Sequence, residues 1–111
     1  MKLVYVAGKY RGANNWEIKC NVHESAKLAL EVWRLGAVAI SPHLNTSDFQ
    51  YTLPDHVWLD GDLEILSRCD AVLLIQGWHK SQGTRAEVEF AISRRIPVFK
   101  DLWQIEQWLA E

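Results

Sequence analysis

Two cysteines in 111 residues are too few for a disulfide scaffold or a metal knuckle. Cys20 and Cys69 read instead as reduced thiols packed as small hydrophobes in a cytoplasmic protein. Glycine and proline are scarce, at six and three residues, which excludes a low-complexity linker. No apolar run exceeds the six residues of Leu3–Gly8 or of Leu35–Ile40, whereas a membrane-spanning helix needs roughly 18. Lys2 followed by Leu3–Ala7 is too short for the core of a signal peptide. Neither sign of charge dominates. Twelve Lys and Arg face 14 Asp and Glu, and the net charge of −2 gives no reason to expect a nucleic-acid polymer as partner. His23, His56 and His79 show no metal spacing with either cysteine, so no metal and no cofactor are expected.

What remains is a balanced globular chain, 49% hydrophobic and 23% charged, of a length that suits one core and one domain over residues 1–111. Tryptophan is abundant, with six residues: Trp16, Trp33, Trp58, Trp78, Trp103 and Trp108. A small core cannot easily bury six indoles and pair every N–H. Some are expected at a pocket wall or a subunit contact, and at least half as half-buried residues on amphipathic helices.

Short apolar runs alternate with helical patterns. Lys2–Ala7 reads as a strand stopped by Gly8. Gly8–Asn15 reads as a loop, and Glu17–Leu35 as a long helix with Gly36 beyond its end. Ala37–Ile40 is a second strand, ended by Ser41-Pro42, and His43–Leu53 reads as a loop. Pro54-Asp55 opens a helix to about Arg68. Ala71–Ile75 is a continuous apolar strand, of the kind covered on both faces. Gly77–Gly83 is a loop, Thr84–Arg94 a helix and Pro97–Phe99 a short strand. Asp101 then caps a last helix. This β-α-β-α-β-α-β-α order is the signature of an open parallel sheet with helices on both faces. Ligands bind such sheets outside the carboxyl ends of the strands. One site is therefore expected, built from Gly8–Asn15, Ser41–Thr46 and Gly77–Gly83.

The residues in and around those loops carry the candidate chemistry. Gly8-Lys9-Tyr10-Arg11-Gly12 combines close backbone approach with two cations, which suits an anion such as phosphate, although a plain turn with solvated charges has the same composition. Ser81, before the helix that holds Glu87, suits an anion or a sugar. Thr84-Arg85-Ala86-Glu87 fits a capping box, in which the acid only serves the helix start; its other reading is a carboxylate at the mouth of the site, available as nucleophile or base. Asp62 lies at the edge of an apolar stripe with Leu59, Ile65 and Leu66, where a carboxylate can point into a cleft with a raised pKa. Tyr5 shares a strand face with Leu3 and Ala7. His43 reads as an exposed loop histidine within reach of a ligand.

Together, Tyr5–Gly12, Asp62–Asp70, Gly77-Trp78 and Ser81–Glu87 resemble the nucleoside 2-deoxyribosyltransferase superfamily, which includes the 2′-deoxynucleoside 5′-phosphate N-hydrolases. The resemblance runs from residue 3 to about residue 100. It implies a flavodoxin-like three-layer sandwich with a parallel sheet of four or five strands. It implies cleavage or transfer of the N-glycosidic bond of a (deoxy)nucleoside 5′-monophosphate through a covalent glycosyl-enzyme on Glu87, by the logic of a retaining glycosidase. Tyr5 would orient Glu87, and Asp62 would protonate or position the base. Gly8, Lys9, Arg11, Gly12, Ser81 and Gly83 would hold phosphate and sugar, and His43 and Trp78 are candidates for contacts to base or sugar. Asp70 would serve structure at the start of the third strand. Relatives are commonly dimers or larger, so a homo-oligomer is expected. Arg85 stands two residues before Glu87. It either pairs with that carboxylate and quenches it or points to solvent; the first option leads to the alternative of a non-catalytic nucleotide-binding domain.

Overall fold

The computed structural model describes residues 1–111. Its elements in chain order are β1 (Leu3–Ala7), α1 (Asn15–Arg34), β2 (Val38–Ile40), α2 (Pro42–Asn45), α3 (Asp55–Leu66), β3 (Ala71–Leu74), α4 (Gln82–Ser93), β4 (Val98–Phe99) and α5 (Leu102–Ala110). The sheet has four strands, all parallel, in the order β2-β1-β3-β4. It is the flavodoxin-like arrangement expected above.

Side-chain alternation along β1 divides the interior into two layers. Tyr5 and Ala7 face one side with Val72 and Leu74, where Leu66, Leu63, Val88 and Ala91 from α3 and α4 cover them. Val4 and Leu73 face the other side, where Val32 of α1 and Ile105 of α5 close the layer. Burying each such aliphatic side chain contributes about 1.5–3 kcal/mol, so β1, buried from Val4 to Ala7, and β3, buried throughout, anchor the fold.

Several boundaries differ from the sequence reading for identifiable reasons. Helix α1 starts at Asn15 because the Asn14 side chain caps it, accepting from the Glu17 N–H at 2.9 Å. The segment read as a loop after Ser41 holds the short helix α2, where Pro42 sits in the first turn and the Ser41 side chain caps. Ser41 is itself buried and shares a 2.7 Å hydrogen bond with buried Ser25 of α1. Residues 78–80 form a single 3-10 turn after Gly77, whose φ of +86° suits glycine. None of the six tryptophans is buried: Trp16, Trp33 and Trp103 are exposed, and the other three are half-buried. Cys69 is buried, whereas Cys20 is exposed. No helix is long and apolar enough to cross a membrane.

Candidate active site

Helices α3 and α4 cover the same face of the sheet but meet its carboxyl edge with their N-terminal halves, since each precedes a strand parallel to β1. Residues on those first turns therefore stand above the end of β1. Glu87 comes from the second turn of α4, Asp62 from the middle of α3, and Tyr5 from β1.

The start of α4 decides what Glu87 does. The capping box expected at Thr84–Glu87 does not form. Helix α4 begins two residues earlier, and Ser81 is its cap, accepting from the Thr84 N–H at 3.2 Å. Glu87 thus lies beyond the first turn and has no helix-capping role. Its Oε2 accepts a hydrogen bond from the Tyr5 hydroxyl, across 82 residues of sequence. That contact leaves Oε1 available.

This carboxylate sits in an unusual electrostatic position. Its pKa is pushed from an ordinary 4.5 up to about 7. Burial is the main cause. The Tyr5 hydrogen bond pulls the other way by stabilising the anion, and the Asp62 charge adds to the rise. Burial alone pushes Asp62 up to about 6. Tyr5 is raised far above the usual phenol range by burial and then by the Glu87 and Asp62 charges, so it stays a proton donor. The two carboxyls therefore titrate as a pair near neutrality, and over part of that range they hold one proton between them. A pair with one acid and one anion is what displacement at carbon with protonation of a leaving group requires.

The first loop is tied from three sides. Asn21 of α1 donates to the carbonyls of Tyr10 and Arg11, each at 3.1 Å. His43 of α2 donates from Nε2 to the Lys9 carbonyl at 3.0 Å, and its ring lies edge-on to Tyr10 at 5.3 Å. The Tyr10 hydroxyl donates to Gln50 at 3.0 Å. His43 is buried, not an exposed loop residue, and burial lowers its pKa, so it stands neutral as a brace for the loop. Gly8 is needed for packing: a Cβ there would stand 2.5 Å from Ile75 Cδ1.

The remaining candidates are placed as follows. Lys9 is exposed and Arg11, also exposed, pairs with Asp55 at the start of α3. A Cβ on Gly12 would strike that of Glu17, whose carboxylate accepts from the Ala13 N–H at 3.1 Å. Gly83, in the first turn of α4, faces Leu59 of α3. Trp78 is half-buried against the core layer that holds Tyr5, so it is in part a packing residue. Arg85 turns away from Glu87 and donates to the His79 carbonyl at 2.6 Å. Asp70 accepts from the Leu3 N–H at 2.7 Å and ties β1 to β3. Sequence reasoning missed Asp55, Gln50 and the aromatic pair Phe49–Trp58, with rings 5.9 Å apart. Only the three-residue step from Asp55 to Trp58 and the four-residue step from Trp58 to Asp62, which share one helix face, signalled Asp55 and Trp58.

Residues 2–100 match the family model described as a domain of unknown function, DUF4406, and the chain belongs to that family. Among solved structures, it is similar to the 2-deoxyribosyltransferase of the psychrotolerant bacterium Bacillus psychrosaccharolyticus, at 20% identity and a TM-score of 0.64. The match covers 86% of this chain and 69% of that one, and likeness at this identity is a likeness of fold. No curated protein sequence matches the chain.

Proposed function

We propose that this DUF4406 member cleaves or transfers the N-glycosidic bond of a (deoxy)nucleoside 5′-monophosphate. The observation that carries the reading is the half-buried Glu87–Asp62 pair with buried Tyr5, in which a carboxyl freed from helix capping is held by a phenol beside a second carboxyl, both titrating above the ordinary carboxylate range. The fold neighbour is a 2-deoxyribosyltransferase described as a biocatalyst for the synthesis of nucleosides, which agrees with that chemistry.

In the proposed reaction Glu87 Oε1 attacks C1′ of the sugar. The bond from C1′ to the base nitrogen breaks, and its electron pair leaves with the base. Of the two singly protonated forms of the pair, the reactive one carries the proton on Asp62, the minor form because Glu87 has the higher pKa. That acid delivers the proton to the base, which would otherwise depart as a poor anionic leaving group, and such help contributes typically about 10²–10⁴-fold. The product is a glycosyl ester on Glu87. Water or the nitrogen of a second base then attacks C1′ and regenerates the carboxylate, while Asp62 recovers a proton. Tyr5 holds the Oε2 atom and so aims Oε1.

Phosphate recognition falls to the first loop. Lys9 has no acidic partner, and an exposed ion pair such as Arg11–Asp55 contributes at most about 1 kcal/mol. A phosphate dianion can displace Asp55 from Arg11. The binding-only alternative depended on Arg85 quenching Glu87, and its guanidinium is engaged elsewhere. Exposed Trp16, Trp33 and Trp103 support the homo-oligomer in this reading; light scattering after size exclusion tests it, and a clean monomer refutes it.

The deciding experiment is base release from a panel of deoxy- and ribonucleosides and their 5′-monophosphates, with and without an acceptor base. Wild type is compared with Glu87→Ala. Release without acceptor that is lost in the variant means a hydrolase, and exchange only with acceptor means a transferase. No release or exchange over hours at high enzyme refutes the reading.

A further inference from the structure

The indole nitrogen of Trp58 is buried and has no hydrogen-bond partner. An unpaired buried donor costs stability, and such groups in a folded chain call for an explanation. Trp58 lies four residues before Asp62 in α3, one helical turn away on the same face. That turn extends past the carboxyl edge of the sheet. On either side of it the same helix meets the cleft: Asp55 reaches Arg11 of the first loop, and Leu59 borders Gly83 at the start of α4. The Phe49 ring lies 5.9 Å from the Trp58 ring, tilted by 41°, and Phe49 is half exposed. The upper part of α3 thus carries an aromatic pair with one unused N–H, closed off from solvent beside Phe49, a turn above the residue assigned to the base.

We propose that Trp58 reads the nucleobase: its indole N–H donates to a carbonyl oxygen on the base, Phe49 lies against the ring, and the site prefers oxo-bases over amino-bases. The inference rests on the N-glycoside reading above. Its chemistry follows from the donor inventory. An indole N–H only donates. On the edge carrying N7, a 6-oxopurine presents two acceptors side by side, N7 and O6, whereas adenine presents an acceptor and an amino donor. The Trp58 N–H matches the O6 acceptor of the first pattern and opposes the amino donor of the second. The same contrast separates the O4 of a 4-oxopyrimidine from the amino group of cytosine. With an amino-base bound, the indole N–H stays unpaired.

The test measures dissociation constants on the full chain carrying Glu87→Gln, which blocks turnover. The probes are 2′-deoxyinosine, 2′-deoxyadenosine and purine 2′-deoxyriboside, which lacks O6, each also as its 5′-monophosphate. The expected result is tighter binding of the deoxyinosine form by about ten- to a hundredfold over both others. Adding Trp58→Phe should collapse that preference to within about threefold, chiefly by weakening the oxo ligand. A packing role for Trp58 would weaken all three ligands alike and leave the ratio intact, which overturns the proposal. If the substitution prevents folding, the comparison of deoxyinosine with purine deoxyriboside on the Trp58 protein still decides: equal affinities overturn it. Binding of none of the probes, together with no base release from any nucleoside or nucleotide, is the separate failure of the N-glycoside reading itself.

Discussion

Replacing Glu87 with glutamine should stabilise the protein at alkaline pH far more than at acidic pH. The carboxyl titrates at 4.5 when exposed, as in the unfolded chain, and at about 7 in the fold. A group whose pKa is raised by folding contributes stability that is complete below the unfolded value and lost as pH rises through the folded one. Wild type therefore loses stability between about pH 4.5 and pH 7 on account of this residue. Linkage with these two values gives a loss of about 1 kcal/mol at pH 5 and about 3 kcal/mol at pH 8. Glutamine is neutral at both, has nearly the same shape, and its amide oxygen still accepts from Tyr5. The variant's stability relative to wild type should thus rise by about 2 kcal/mol between pH 5 and pH 8. For a chain of this length that is a melting-temperature difference on the order of 10 °C. Relief of Asp62, whose charge Glu87 opposes, acts in the same direction. Urea unfolding followed by circular dichroism at the two pH values measures it without any substrate. An equal difference at both would refute the burial and titration assigned to Glu87.

Other outcomes follow from the same geometry. The rate of base release should show a bell-shaped pH profile with limbs near the carboxyl pair's values of about 6 and about 7; Tyr5→Phe removes the one contact that lowers Glu87, so it should shift the profile upward and cut the rate at pH 7 by about tenfold. An unmoved profile in that variant would contradict the Tyr5–Glu87 hydrogen bond. Asp70→Ala orphans the Leu3 N–H and should cost about 1–3 kcal/mol in denaturant unfolding without altering the pH profile. Arg85→Ala should leave base release within about twofold of wild type, because its guanidinium touches the His79 carbonyl and not Glu87; a large gain in rate would show that it does restrain the nucleophile.

Local chemistry made much of this fold legible in advance. The apolar runs at β1 and β3, the three- and four-residue periodicity of α1 and the Asp101 cap are decided by side chains within a few residues of one another, so the element order and the parallel sheet could be read from them. The structural role expected for Asp70 matches its bond from the Leu3 N–H at the head of β1. The short helix α2 was hidden because only tertiary burial of Ser41, paired with Ser25, makes that turn worth forming.

The site divides in the same way. The sequence by itself determined which residue types were available at the carboxyl edge of the sheet: a tyrosine on β1, carboxylates at 62 and 87, glycines and cations in the first loop. It left Glu87 poised between two roles, the acid of a capping box begun at Thr84 and a carboxylate at the mouth of the site. Only the tertiary structure chose Ser81, because a helix beginning there lets Glu87 reach Tyr5 across the sheet, a contact 82 residues apart that no local pattern encodes. The same holds for Arg85, His43 and Trp58. Charge, ring and N–H are visible in the chain, but whether each meets a carbonyl, a loop or nothing depends on which distant surfaces fold against it.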